Sequence, residues 1–172
     1  MALNTIAECG GEELISDLIN SEKRYKYKKT SKASSYANPL GDGNIEIGIS
    51  SSLTDHSAFS SAVAHETMHG AQYEHGQGGR SIFNEVEAYV FESVMSTNSL
   101  GDCPHPFFSL AYSANETSDG KSYINAFENL RSGYDMKSMA QAIISFKKGS
   151  TANNSGIYTS YDLILKKNKK SL

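Results

Sequence analysis

Ala64-His65-Glu66-Thr67-Met68-His69 is the stretch on which the reading of this chain turns. It sits inside a helix-length segment. Asp55 or Ser57 can cap a helix that begins near Ala58, runs through Phe59, Ala62 and Val63 to about Tyr73, and stops at Gly76-Gln77-Gly78-Gly79. Residues four apart on a helix project from one face a turn apart, so His65 and His69 offer two imidazole nitrogens to a single point. Glu66 projects beside that pair. This is the H-E-x-x-H arrangement, in which the histidines hold a metal ion and the glutamate takes a proton from water.

Outward from the motif, Asn44-Ile45-Glu46-Ile47-Gly48-Ile49-Ser50 alternates apolar and polar residues, the pattern of a half-buried strand. It follows a turn cluster at Asn38-Pro39-Leu40-Gly41-Asp42-Gly43. Ala7 to Ile19 reads as a short amphipathic helix. Between them Ser21 to Lys32 is basic with interleaved Tyr25 and Tyr27, which reads as a solvated edge strand guarded by lysines rather than a nucleic-acid platform. Beyond the motif, Ser81 can cap a second helix in which Phe83, Val86, Val90 and Val94 share a face. Met136, Met139, Ala140, Ile143 and Ile144 mark a third helix. Ile157 to Leu165 reads as a terminal strand or helix, and residues 166–172 as a tail. The order predicts a single α+β domain over residues 1–172.

A catalytic zinc site normally has three protein ligands and one open position. Three residues compete for the third place. Glu85, in Asn84-Glu85-Val86-Glu87-Ala88, is preferred, because Ala88 lets its helix pack closely on the first and the Gly-rich turn lets the chain fold back. Glu87 lies about 200° around the helix from Glu85, so the two do not serve one ion. His75 completes the metzincin spacing H-E-x-x-H-x-x-G-x-x-H, but Gln72 stands where that motif has its turn-permitting glycine.

His65-Glu66-x-x-His69 followed by Asn84-Glu85-x-x-Ala88 resembles the gluzincin branch of zinc metallopeptidases, the thermolysin-like group. The resemblance covers about residues 44 to 96. It implies a zincin-like core: a small sheet whose edge strand, taken as Ile45 to Ile49, precedes the active helix and pairs with an extended peptide substrate. It implies one zinc ion held by His65, His69 and Glu85, with Glu66 as general base. Tyr89 stands where the family pattern has an aspartate, so the resemblance identifies no partner to orient His65, and Glu92, one turn later, is a candidate substitute. The chemistry also needs a donor to the tetrahedral oxyanion. Tyr73, Tyr89, Tyr112, Tyr134 and His105 are candidates, and Tyr134 is preferred because the carboxy-terminal part must supply the far wall of the cleft. Peptide-bond hydrolysis is therefore the expected activity. A hydrolase of non-peptide amides and an inactive zincin-fold interaction module are the alternatives.

Composition narrows the rest. With 172 residues, a net charge of -3, ten Tyr, seven Phe and no Trp, the chain is neither a disulfide scaffold nor a basic nucleic-acid binder. No apolar run approaches the roughly 20 residues that cross a bilayer. Cys9 and Cys103 can form one disulfide or stay as thiols. No signal peptide is visible, which suits a cytoplasmic protein or a toxin-like effector delivered by a non-classical route. The expected partners are a peptide or protein substrate and, for an effector, a cognate inhibitor; the chain is expected to act as a monomer.

Overall fold

A computed structural model describes residues 2–79, apart from the side chains of residues 9 and 10, and, in the helical stretch that follows, Asn84, Glu85, Glu87, Ala88, Phe91 and Glu92. The second-helix cap and stripe, the Met136 helix, the terminal element and the tail lie outside the described residues, as do the side chains of both cysteines. The described part is a small mixed α+β arrangement. It runs α1 (Ala2–Ile6), a π-helical turn (Ala7–Gly11), α2 (Glu12–Asn20), β1 (Tyr25–Thr30), β2 (Tyr36–Pro39), β3 (Ile45–Ser50) and α3 (His56–Glu74). Helix thus begins five residues before the expected Ala7. Thr5 and Ile6 are buried, and this anchors an extra turn that the spacing of Leu14, Ile15 and Leu18 does not reveal.

The sheet has the order β1-β3-β2, with β1 parallel and β2 antiparallel to β3. This corrects the expectation for Ile45 to Ile49: β3 is the central strand of the described sheet, and the edges are β1 and β2. Period-2 alternation reports that one face meets a core, but not what lies alongside the strand. Ile45, Ile47 and Ile49 are each at most 3% exposed, and burying each contributes on the order of 1.5–3 kcal/mol. On the opposite face the Tyr36 ring lies over Gly48, and its Oη donates to Glu46 Oε1 at 2.8 Å.

The lysine-rich segment is an edge strand, as expected. Its tyrosines turn inward, with Tyr25 Oη donating to Glu74 at 2.6 Å and Tyr27 Oη 3.0 Å from Thr67 Oγ1. Burial pushes the Tyr27 phenol up to about 12. Lys26 and Lys28 point the other way and pair with Asp42 at 3.5 Å and Glu46 at 2.8 Å.

Helix α3 is fixed at both ends. Asp55 is the N-cap, its Oδ1 accepting from the Ala58 amide at 2.8 Å. At the other end Gly76 takes φ +72°, and the Gly76 and Gln77 amides donate to the Tyr73 and Gln72 carbonyls at 3.2 and 2.7 Å. That pair of bonds is a Schellman motif, which only a left-handed residue closes cheaply. Between its ends α3 buries Val63, Ala64, Met68 and Ala71, and also His65, Glu66, Thr67 and Gln72. Buried polar side chains cost stability unless something answers them. No helix among the described residues is long and apolar enough to cross a membrane.

Candidate metal centre

The buried polar face of α3 meets the helical residues Asn84, Glu85, Glu87 and Glu92. His65 Nε2 and His69 Nε2 lie 3.2 Å apart. The Glu85 carboxylate straddles them, with Oε2 at 3.4 Å from His65 Nε2 and Oε1 at 3.6 Å from His69 Nε2. Taking one ligand atom from each residue, the three atoms lie within 4.8 Å of one another, so this trio can hold a metal ion. Donors bound to one zinc at its usual bond lengths in a tetrahedral array lie about 3.3–3.5 Å apart. The His–His and His–Glu separations fall close to that value.

Protonation explains why these atoms converge. The Nδ1 atom of each histidine faces an oxygen acceptor, Glu92 Oε2 at 3.4 Å from His65 and Gln72 Oε1 at 2.8 Å from His69. A proton on Nδ1 of a neutral ring leaves its Nε2 lone pair aimed at the other imidazole and at the Glu85 carboxylate. With both rings in that form three acceptors face one point, a place that a proton or a metal cation can fill. Burial tends to raise the Glu85 carboxyl; when the imidazoles carry a proton on Nε2, their hydrogen bonds and charge overcome this and hold it well below the ordinary carboxylate range. The group is thus a negative ligand at neutral pH. Its helix sits close against α3, with Ala88 fully buried.

Glu66 is 6% exposed and lines the same cleft, and its Oε2 has no hydrogen-bond partner among the described residues. Burial raises its carboxyl above the usual value. The charges of His65 and His69 oppose that shift, while Glu85 and Glu92 add to it. A buried carboxyl held above its ordinary value is suited to accept and return a proton.

The cleft holds about 830 Å³ and extends from this cluster to β2, where Tyr36, Ala37 and Asn38 form one wall. The turn signals at Asn38-Pro39 conceal that strand, which forms by pairing its other edge with β3. Tyr73 also lines the cleft, half-buried, with its phenol raised by burial. Of the residues proposed from sequence, His65, Glu66, His69 and Glu85 come together, and Glu92 takes its place behind His65. His75 does not join them: its Nε2 pairs with Asp17 at 3.4 Å, on the surface. Glu87 instead accepts from Gln72 Nε2 at 2.8 Å. Tyr89, Tyr112, Tyr134 and His105 lie outside the described residues. The residue that sequence reasoning missed is Gln72; its position three residues after His69, on the same helix face, is the signal that could have found it. Comparison with models of known families, with characterised proteins and with solved structures finds no match to this chain, so the metal-centre reading rests on its own residues and their geometry.

Proposed function

We propose that this chain is a zinc-dependent metallopeptidase of the gluzincin kind, with a zincin-like catalytic core. The observation that carries the reading is the convergence of His65 Nε2, His69 Nε2 and the Glu85 carboxylate beside a buried glutamate at the head of a cleft. Two imidazoles and one carboxylate form the donor set of a catalytic zinc, whereas structural zinc is usually closed by cysteines. Zinc bound there would supply a Lewis acid that acidifies water and polarises a carbonyl.

The chain's own part follows from its groups. The Glu66 carboxylate takes the proton from the attacking water and hands it to the leaving amine, a task that its raised carboxyl favours. Gln72 holds the His69 imidazole with Nε2 forward, and Glu92 Oε2 lies 3.4 Å from His65 Nδ1. The outer edge of β2, which has no neighbouring strand among the described residues, offers backbone groups to an extended peptide along the cleft. Tyr134 is the proposed oxyanion donor, and Tyr73 is the candidate that lines the described part of the cleft.

The test is metal content plus cleavage of peptide pools by purified protein. Wild type should carry one zinc per chain and cleave. Glu66→Gln should keep the zinc and lose about 10²–10⁴-fold in kcat. Equal cleavage by the two proteins, or none by zinc-loaded wild type on any pool, overturns the peptidase reading.

A further inference from the structure

We infer that Gln72 and Glu87 are positioning residues that lock His69 into the tautomer able to bind a metal through Nε2. The inference rests on the metal-site reading and adds to it a relay that the H-E-x-x-H pattern does not contain.

The relay follows from which groups can donate. Gln72 is 1% exposed and sits between the two helices. Its Nε2 lies 3.0 Å from the Asn84 backbone oxygen and 2.8 Å from Glu87 Oε2. A carbonyl oxygen and a carboxylate only accept, so the amide nitrogen must occupy that end. Oε1 is then left to face His69 Nδ1 at 2.8 Å, and Nδ1 must carry the ring proton. A neutral imidazole has one proton, so Nε2 keeps its lone pair, directed at His65 and Glu85.

Glu87 is also 1% exposed, and together with the Asn84 carbonyl it anchors the amide end. Asn84 fixes the frame by donating from Nδ2 to the Gln77 and Gly79 carbonyls at 2.7 and 2.9 Å, which ties the helix start to the turn after α3. Where His65 has a carboxylate directly behind it, His69 has a glutamine backed by a carboxylate. The neutral link transmits orientation without placing a second full charge against the ring.

The test separates this relay from the metal reading itself. Long-range ¹H–¹⁵N spectra of metal-free wild type, taken at a pH above imidazole titration, should show His69 protonated at Nδ1. Gln72→Met, close in volume but without the oxygen, should let the proton move to Nε2 and weaken zinc binding by about 10–100-fold in a chelator competition. Glu87→Gln, which keeps an acceptor oxygen, should preserve the Nδ1 tautomer. His69 protonated at Nε2 in wild type overturns the relay even if Gln72→Met fails to fold. So does a folded Gln72→Met whose tautomer and zinc affinity match wild type. A wild type that holds no zinc removes the metal reading, while the tautomer measurement still decides the relay.

Discussion

Helix α3 carries a glutamate cluster on either side of it, and the two are opposites. At Glu74, near its end, one carboxylate oxygen receives the Ser21 hydroxyl at 2.6 Å, the Tyr25 hydroxyl at 2.6 Å and the Lys23 ammonium at 3.1 Å. Every group around that acceptor is a donor, and the cluster ties α2, β1 and α3 together. At Glu85 the carboxylate meets two ring nitrogens at 3.4 and 3.6 Å. The first cluster is complete as folded, while the second is a set of ligand atoms that could hold a metal ion. The difference teaches that burial and proximity alone do not mark a site; the donor–acceptor balance does.

The comparison breaks most readily at the ligands. His65→Ala or Glu85→Ala should weaken zinc binding by more than about 100-fold, beyond what groups behind the ligands usually cost. Glu74→Ala should leave it unchanged. Zinc retained in full by Glu85→Ala would make the two clusters alike and end the ligand assignment.

Chelation sharpens the contrast in stability. With free zinc near 100 times its dissociation constant, binding adds about 2.7 kcal/mol, worth roughly 5–10 °C in Tm for a chain of this size. Calorimetry with and without a chelator reads this directly. The shift should vanish in His65→Ala and persist in Glu74→Ala.

The smallest effect is a pH dependence. Burial tends to raise the Glu74 carboxyl, but the bonds from Ser21, Tyr25 and Lys23 outweigh it and lower the group from 4.5 to about 2. A folded value below the unfolded one contributes stability that is present above about pH 4.5 and is lost as pH falls toward 2. Acid unfolding of metal-free Glu74→Gln should therefore be less steep than wild type across that window. Identical curves would show that the donors around Glu74 add nothing.

Local geometry made part of this molecule legible from its residues. The i, i+4 histidines, a cap at Asp55 or Ser57 and the stop at Gly76 follow from helix angles and backbone chemistry; the structure uses Asp55 as the cap, ends the helix before Gly76 and brings Glu85 beside the two histidines. Long-range relations were not legible in this way. Nothing in Ile45 to Ile49 announces two flanking strands, because strand order depends on which chain segments return to pair. Asn38-Pro39 reads as the start of a turn from its own residues and, with Tyr36 and Ala37, becomes a strand only beside β3. Gln72 looked like a defect in one motif because its use depends on Asn84 and Glu87, residues that folding brings to it.

One small feature sets how finely the helix that carries the imidazole pair is seated. At Gly70, one residue past His69, an added methyl would come within 3.3 Å of the Tyr25 ring and 3.4 Å of Ile47 Cδ1. Alanine there would favour the helix by about 1 kcal/mol yet act as a shim, lifting α3 off the sheet by tenths of an ångström. The chain gives up intrinsic helicity at that position in exchange for intimate seating. Anyone wishing to detune the imidazole pair without altering a single donor atom would find the leverage there.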